Sequence, residues 1–408
     1  MPELDIDYVR AQFPAFQEPS LQGQALFENA GGSYACRPVI DRLTRYYRQR
    51  KVQPYGPYPA SRLAGEEMDE ARQRLAELLN VGADTLSFGP STTQNTYVLA
   101  QAFRQMLAPG DVVIVSNQDH EANTGPWRRL ADSGIEIQEW QVDPITGALD
   151  PAKLATLLDP RARLVCFPHC SNILGQINPV ADLCEMIHQA GAVACVDGVS
   201  FAPHGLPDID ALGADIYLFS SYKTYGPHQG VMTIRRDLAD RLPNQAHYFN
   251  SGSPVKRFTP AGPDHAQIAA CAGMVDYIDG LARHHGGGDL DPAERGRQTQ
   301  GLMRAHETAL LEPLLDYVSQ RDDLRLLGPR DAAQRVPTLA LVLEQPADAV
   351  AAHLADHGIM TGSGDFYAVR LLEALDVNLD QGVLRLSFVH YTHADEIAQL
   401  VGALEAVL

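Results

Sequence analysis

A lysine in a polar turn is the residue of this sequence with the clearest potential for chemistry. Lys223 lies in FSSYKTYGPHQG (residues 219–230), directly after an apolar run and shortly before a Gly-Pro step. Taken alone, a lysine at such a place can simply be solvated. An amine that is partly removed from water has a lowered pKa, however, and it can form a Schiff base and move protons. Lys223 is therefore a candidate catalytic residue.

Schiff-base chemistry on amino acids needs an electron sink. Pyridoxal 5'-phosphate (PLP) is such a sink when a carboxylate lies beside its protonated pyridine nitrogen. Asp197 ends the apolar run AVACVD and could supply this carboxylate. Its alternative role is that of a helix cap or a turn residue.

A phosphate group would need hydroxyls and free backbone N–H groups. Ser91, Thr92 and Thr93 stand just before an amphipathic segment, so they could bind phosphate at a helix start or form an ordinary N-cap. Ser220 and Tyr222, which flank the lysine, could add hydroxyl donors. Together these residues are the parts that a PLP site would need.

The elements that must position these residues follow from hydrophobic periodicity. Short apolar runs at residues 111–116, 135–140, 163–169, 192–197, 215–220 and 230–236 predict buried strands. Segments with helical spacing, such as residues 95–107 and 179–191, lie between them. Alternating strands and helices predict an α/β fold with a mostly parallel sheet of about seven strands. Ligands of such sheets bind beyond the carboxyl ends of the strands, where the polar residues above are found.

A second, smaller α+β domain is predicted beyond the Gly-, His- and charge-rich segment 281–297, which we expect at the surface. This part contains the strand patterns 338–344 and 383–391 with a helical pattern between them. The predicted division is an N-terminal arm or part of the small domain (1–25), a large PLP-binding domain (26–280) and a small C-terminal domain (281–408).

Charge argues for a small-molecule substrate. The chain has 32 Lys+Arg against 51 Asp+Glu, and its net charge of -19 would repel nucleic acid and anionic lipid. The opening MPELDIDYVRAQFPAF does not have the pattern of a signal peptide, and no run of 18 apolar residues occurs. We expect a cytoplasmic protein without nucleic-acid or membrane partners.

The cysteines favour neither zinc nor disulfides. They are Cys36, Cys166, Cys170, Cys184, Cys195 and Cys271, scattered through apolar segments without CxxC spacing. We expect buried small hydrophobic residues and no metal site.

Several motifs taken together resemble one enzyme family. FENAGG, STTQNT, NQDHEAN, SNILGQINPV, VDGVSFAPH, SSYKTYGP and RLSFVHY occur in this order between residues 27 and 391. This pattern is similar to the class V aminotransferase family of fold type I PLP enzymes, and within it to the cysteine desulfurase-like branch. The resemblance covers almost the whole chain.

The resemblance implies a role for each matching residue. It makes Lys223 the Schiff-base lysine, Asp197 the partner of the pyridine nitrogen and His120 the residue that stacks on the cofactor ring. Asn172 would bind near the ring hydroxyl or the substrate, and Arg385 would bind the substrate α-carboxylate. A homodimer with shared active sites is also implied.

Four departures from the family pattern stand out. The segment 358–370, GIMTGSGDFYAVR, lacks the cysteine that attacks sulfur in desulfurases. Ser200 stands where glutamine is frequent, and Tyr222 where histidine is frequent. Gly262 falls where a threonine of the family reaches the phosphate of the partner subunit, so that only its backbone N–H could serve.

Other residues have roles that the sequence leaves open. His204 and His265 could face the substrate or be structural. Tyr55 and Tyr58 could line the pocket or a dimer interface.

The expected reaction is elimination of a sulfur-containing or other β-substituent from a small amino acid, without a persulfide-forming cysteine. The alternatives are class V aminotransferase activity, then amino acid epimerisation, and, outside enzymes, a scaffold that keeps the fold for binding.

Overall fold

A computed structural model describes residues 3–408 of the chain. The strands are β1 Ala25–Leu26, β2 Leu86–Gly89, β3 Val112–Ser116, β4 Glu136–Trp140, β5 Ala162–Pro168, β6 Val193–Asp197, β7 Ile216–Ser220, β8 Gly230–Ile234, β9 Leu324–Leu327, β10 Thr338–Leu343, β11 Ile359–Met360, β12 Gly362–Gly364 and β13 Val383–Ser387. The helices are α1 Ile6–Ala11, α2 Arg37–Gln49, α3 Pro59–Leu78, α4 Thr92–Met106, α5 Gly125–Arg128, α6 Pro151–Leu157, α7 Val180–Gln189, α8 Ile209–Leu212, α9 Arg236–Arg241, α10 His265–Ala270, α11 Ala272–His284, α12 Pro292–Ser319, α13 Ala347–Asp356, α14 Val369–Ala374 and α15 Ala394–Val407.

The larger sheet has seven strands in the order β2-β8-β7-β6-β5-β3-β4. The strands from β7 to β4 run parallel, whereas β8 is antiparallel to both of its neighbours. Every residue of β3, β7 and β8 is buried, as expected when helices cover both faces of a sheet. The predicted α/β fold with a mostly parallel seven-stranded sheet is confirmed.

A second sheet has four antiparallel strands in the order β12-β13-β10-β9. Its core includes residues from α12, α13 and α15. The N-terminal segment also contributes, because β1 pairs in parallel with β11 and Phe27 joins the same core. The two ends of the chain are therefore connected within this smaller unit.

Helix α12 packs against both cores. Leu302 and Met303, in its first half, belong to the core beside the large sheet, whereas Leu310 and Leu314 belong to the core of the smaller unit. The predicted boundary after residue 280 lies within α11, and α1 contributes Val9 to the larger core. The predicted three-part division of the chain stays a prediction.

Several elements differ from the periodicity reading in their bounds. The sequence analysis did not identify β2, because four residues give too short a pattern. The strand pattern 383–391 ends at Ser387, after which Phe388 N–H donates to Pro337 O at 3.0 Å. Segment 281–297 contains the end of α11 and the start of α12, where Asp291 and Glu294 form a capping box. Within residues 3–408, no helix combines the length and apolar character needed to span a bilayer.

Candidate active site

The turn that carries Lys223 is fixed on two sides. It follows β7 directly, and Ser221 N–H donates to Gln229 O at 2.9 Å across the turn. From the N-terminal segment, Ser33 N–H donates to Tyr222 O at 3.1 Å, and the Ser33 hydroxyl donates to Lys223 O. The lysine backbone is thus held while its side chain extends into the cleft at the carboxyl ends of the strands.

The environment of the Lys223 amine favours its neutral form. Burial and, after it, the Arg385 guanidinium lower the lysine pKa to about 8, although Asp197 and Glu28 act in the opposite direction. At neutral pH about a tenth of such an amine is uncharged, far more than for an ordinary lysine. Lys223 therefore has the nucleophilicity and basicity that covalent amine chemistry needs.

Asp197 ends β6 and is only 6% exposed. Its Oδ1 accepts from Val199 N–H at 2.8 Å. Burial raises the carboxyl pKa to about 6, while the Val199 N–H and the Lys223 charge limit the rise. The side chain stays mostly ionised at neutral pH, so it could hold a protonated ring nitrogen.

The start of α4 forms a cradle of polar groups. Ser91 is the N-cap and accepts from Gln94 N–H at 3.2 Å, and the first N–H groups of a helix have no intrahelical acceptor. Thr92 Oγ1 and Ser220 Oγ are 2.8 Å apart in a buried hydrogen bond. At Gly230 a Cβ atom would lie 2.3 Å from the Ser91 carbonyl carbon, so glycine allows β8 to approach this helix start. Such a donor set suits a phosphate.

His120 is a neutral ring. Burial lowers its pKa to about 3, and the charges of Lys223 and Arg385 contribute. Ala122 N–H donates to His120 Nδ1 at 3.0 Å, so the ring proton is on Nε2. A neutral, oriented imidazole is suited to stack on a flat cofactor ring.

One cleft contains most of the predicted cofactor-binding residues. Its lining includes Ser91, Thr92, Thr93, His120, Asn172, Asp197, Ser200, Ser220, Tyr222 and Lys223. Asn172 Oδ1 is buried there and has no hydrogen-bond partner among the described residues. A buried orphan acceptor, a phosphate cradle, a carboxylate and a desolvated amine in one cleft fit PLP.

Arg385 approaches this cleft from β13 of the smaller unit and is 3% exposed. Its Nη2 donates to Glu28 Oε1 at 2.6 Å, and its Nη1 donates to Asn172 O at 3.3 Å. The guanidinium lies 3.7 Å from the centroid of the Phe366 ring. Burial lowers the arginine pKa, and Glu28 opposes this effect. A planar donor is thus presented beside the amine of Lys223.

The segment after β12 covers this arginine. Phe366 and Tyr367 have positive φ angles of 50° and 58°, a backbone conformation that is rare for aromatic residues. Glu121 N–H donates to Tyr367 O at 2.8 Å, and Asn172 Nδ2 donates to Phe366 O at 3.0 Å. The Tyr367 and His120 ring centroids are 5.3 Å apart. This is the segment in which the resemblance led us to look for a cysteine.

The other predicted residues lie outside the cleft lining. His204 is buried, and its Nδ1 is 3.0 Å from Glu307 Oε2 on α12. Tyr58 precedes α3 and is 48% exposed. Gly262 lines a separate cleft with Phe88 and Tyr97.

Tyr55 and His265, whose roles the sequence leaves open, also lie outside that lining. The Tyr55 hydroxyl donates to Asp69 Oδ1 at 3.0 Å, and His265 is the first residue of α10. The functional roles of all these residues remain predictions.

The sequence analysis did not identify Glu28, Phe366 or Tyr367 as site residues. Glu28 lies in FENAGG, one of the motifs that carry the resemblance, and this was the available signal. The two aromatic residues lie in segment 358–370, where the only signal was the absence of a cysteine. All six cysteines are buried and free. In residues 3–408, no cluster of three or more His, Cys, Asp or Glu side chains could hold a metal ion.

The fold and this cleft together define a PLP-dependent enzyme of fold type I. The chain belongs to the aminotransferase class-V family, whose sequence profile matches residues 25–259 and 298–400. The predicted family, its PLP cofactor and the assignment as an enzyme are thereby confirmed. This membership argues against the alternative of a non-enzymatic scaffold.

Curated relatives and solved structures agree with this membership. Aminotransferase-like protein FGM3 from Gibberella zeae is 33% identical over 99% of this chain and 98% of its own length. A cysteine desulfurase from Serratia proteamaculans is 29% identical over 98% of each chain. The apo structure of cysteine desulfurase from Thermococcus onnurineus NA1 superimposes with a TM-score of 0.86 at 24% identity, covering 100% of this chain and 99% of that one. At this identity the structural match supports the fold.

Proposed function

We propose that this protein is a PLP-dependent lyase that eliminates a β-substituent, such as a thiol or sulfide, from a small amino acid. The substituent would leave directly, without transfer to an enzyme cysteine. The supporting observation is the segment over Arg385, where Phe366 and Tyr367 occupy the region in which desulfurases carry their cysteine.

PLP would be held by Ser91, Thr92 and Ser220 at its phosphate and by Asp197 at its ring nitrogen. When bound, PLP stabilises negative charge that develops at the α-carbon of an amino acid. Lys223 Nζ, with its lowered pKa, would remove the α-proton.

The substrate would be oriented by residues that surround the Lys223 amine. Arg385 would bind the α-carboxylate through its planar guanidinium. The Phe366 ring would support that guanidinium through a cation–π contact at 3.7 Å. His120 would cover the cofactor ring in its neutral form.

Aminotransferase activity is the second candidate, because the relative with 33% identity is named aminotransferase-like. Both reactions would begin with removal of the α-proton. Elimination would then expel the β-substituent, whereas transamination would need a proton delivered to the cofactor. Epimerisation is the third candidate.

A substrate panel separates these reactions. We would incubate the holoenzyme with S-substituted L-cysteines, L-cysteine and L-alanine, and measure keto acid, ammonia, thiol or sulfide, and pyridoxamine phosphate. Elimination predicts catalytic keto acid and ammonia from substrates with a β-leaving group and no turnover of L-alanine.

Two results would reject the lyase proposal. Stoichiometric pyridoxamine phosphate that returns to PLP only after a keto acid is added would favour transamination. Exchange of the α-proton with inversion and without keto acid would favour epimerisation.

We also propose a homodimer. Exposed aromatic side chains support a second copy as the partner, because Tyr248 is 87% exposed, Phe249 69% and Tyr58 48%. The backbone N–H of Gly262 would then reach the partner subunit's phosphate. Sedimentation of the holoenzyme at micromolar concentration tests this proposal, and a fully active monomer would contradict it.

The net charge of -19 supports a cytoplasmic enzyme without nucleic-acid or membrane partners, which we retain as a proposal. Mixing the holoenzyme with duplex DNA or with anionic vesicles at physiological salt and measuring sedimentation would test the two exclusions.

A further inference from the structure

The Arg385 guanidinium pairs with Glu28, which lies two residues after the end of β1. The ion pair joins residues 357 positions apart, with Glu28 Oε1 2.6 Å from Arg385 Nη2. Glu28 also forms a parallel bridge with Ser387, the last residue of β13. A carboxylate of the protein itself is thus in contact with the group that, in the proposed function, binds the carboxylate of the substrate.

Burial explains why this carboxylate is needed before substrate arrives. Arg385 is 3% exposed, and an isolated buried guanidinium would be costly. Phe366 covers one face of the guanidinium but contributes no negative charge. Glu28 therefore supplies the counter-charge in the free site.

The same contact opposes binding of an amino acid. One guanidinium and one carboxylate form a neutral pair, so the α-carboxylate of a substrate gains little attraction while Glu28 stays in place. The Glu28 carboxylate and the α-carboxylate of the substrate would also repel each other if both contacted the same guanidinium.

The donor geometry of Arg385 would allow a substrate carboxylate to displace Glu28. Glu28 uses only the Nη2 donor, and Arg385 Nε is buried without a partner among the described residues. A carboxylate that accepts from both Nε and Nη2 gains a hydrogen bond that Glu28 does not make. The Glu28 side chain is 27% exposed, but its Oε2 is buried and has no hydrogen-bond partner among the described residues, so the free-site pairing leaves one carboxylate oxygen unsatisfied.

We propose that Glu28 is a specificity-determining residue that occupies Arg385 in the free enzyme and is exchanged for the α-carboxylate of the substrate. This inference rests on the proposed role of Arg385. The exchange favours ligands with a planar, bidentate carboxylate and disfavours amines that lack one, because only the former can replace Glu28.

Ligand binding to the holoenzyme tests the exchange. L-alanine and L-alaninamide share an α-amine and differ in the charge of one group, and the absorbance of the cofactor reports binding of both. The variant Glu28→Gln keeps the side-chain size and removes the charge. We expect it to bind L-alanine about tenfold more tightly and to leave the Kd of L-alaninamide unchanged.

A matched control and a second variant make the result specific. Glu136→Gln removes a carboxylate that pairs with Arg161 at 2.5 Å at the start of β4, away from the cleft, and it should change neither Kd. Glu28→Asp keeps the charge but withdraws it from Arg385, so it should tighten L-alanine binding by a smaller factor. If Glu28→Gln does not fold, Glu28→Asp alone still tests the direction of the effect.

Arg385→Gln separates failure of the exchange from failure of the proposed function. If this variant weakens L-alanine binding but the Glu28 variants do not tighten it, the exchange is wrong and the role of Arg385 stands. If Arg385→Gln leaves L-alanine binding unchanged relative to L-alaninamide, the role of Arg385 is wrong and the exchange fails with it. Weaker L-alanine binding in Glu28→Gln would show that Glu28 only orients the arginine, and this would overturn the proposal.

Discussion

The two sides of the active-site cleft are built differently. The cofactor side consists of residues that end or follow strands of the seven-stranded sheet or begin the helix after a strand: Ser91–Thr93, His120, Asp197 and Ser220–Lys223. The substrate side consists of Glu28, Phe366–Tyr367 and Arg385, which come from the two ends of the chain. The cofactor side is therefore built mainly on the large sheet, with Ser33 of the N-terminal segment holding the Lys223 turn, whereas the substrate side exists only when the smaller unit is complete.

The two sides also differ in their electrostatics. The cofactor side holds its ligand with hydroxyls, helix N–H groups and the single carboxylate of Asp197. The substrate side balances one buried cation against one carboxylate. Mutations on the cofactor side should therefore change cofactor retention, and mutations on the substrate side should change substrate affinity. The following predictions test whether the two sides separate in this way.

The largest effect should come from Lys223→Ala. This variant should lose the covalent attachment of PLP, and turnover should fall by about 10³-fold or more, because both the nucleophile and the base are removed. Borohydride reduction followed by intact mass measurement detects the attachment. Lys153→Ala, on the exposed face of α6, is the control. A reducible PLP adduct in Lys223→Ala would refute the assignment of this lysine.

Asp197→Asn should act on the cofactor side only. Loss of a buried charge-assisted hydrogen bond should weaken PLP binding by roughly 10- to 100-fold. Titration of the apoprotein with PLP, followed by tryptophan fluorescence, measures this affinity. The exposed Asp182→Asn on α7 should bind PLP normally. An unchanged PLP affinity in Asp197→Asn would mean that this carboxylate does not hold the ring nitrogen.

Phe366→Ala should act on the substrate side only. Removing the ring that lies 3.7 Å from the guanidinium should raise the KM of the amino acid by about 3- to 30-fold, the range of a partly desolvated cation–π contact. The PLP affinity should not change. Ile145→Ala, at a position that is 88% exposed, is the control for loss of an apolar side chain. An equal loss of PLP affinity would contradict the separation of the two sides.

The smallest effect should be a shift in a pH profile to which both sides contribute. The rate of covalent PLP uptake by the apoprotein should rise with pH and reach half of its maximum at about 8, because the neutral amine is the reactive form and burial lowers the Lys223 pKa. Asp197→Asn should move this midpoint down, since the carboxylate stabilises the protonated amine. Arg385→Gln should move it up, since the guanidinium disfavours that form. Rapid-mixing absorbance measures the rate, and a midpoint above 10 would contradict a desolvated lysine.

The sequence predicted the cofactor side better than the substrate side, for a physical reason. In a parallel sheet each strand delivers its next residues to the same edge, so Asp197 and Lys223 could be placed from strand patterns alone. Glu28 and Arg385 meet across 357 positions beside a parallel bridge between Glu28 and Ser387, and no periodicity reports such a contact. Arg385 was found only through the family resemblance.

Two further features of the structure had no clear signal in the sequence. The path of Phe366 and Tyr367 depends on left-handed backbone that aromatic residues rarely adopt, so turn chemistry gave no signal. The sequence left His204 open between facing the substrate and a structural role, and its Nδ1 lies 3.0 Å from a buried carboxylate of α12. That carboxylate, Glu307, is about a hundred residues away in the chain.

The pairing of β1 with β11 and of Glu28 with Arg385 also sets an order of events during biosynthesis. The ribosome releases chain at about 5–20 residues per second, so residue 28 waits roughly 20 to 70 seconds for its partner near residue 385. The strands and turns of the cofactor side are all synthesised within this interval. The residues that would retain PLP are therefore all present on a nascent chain before the arginine that would accept an amino acid has been synthesised.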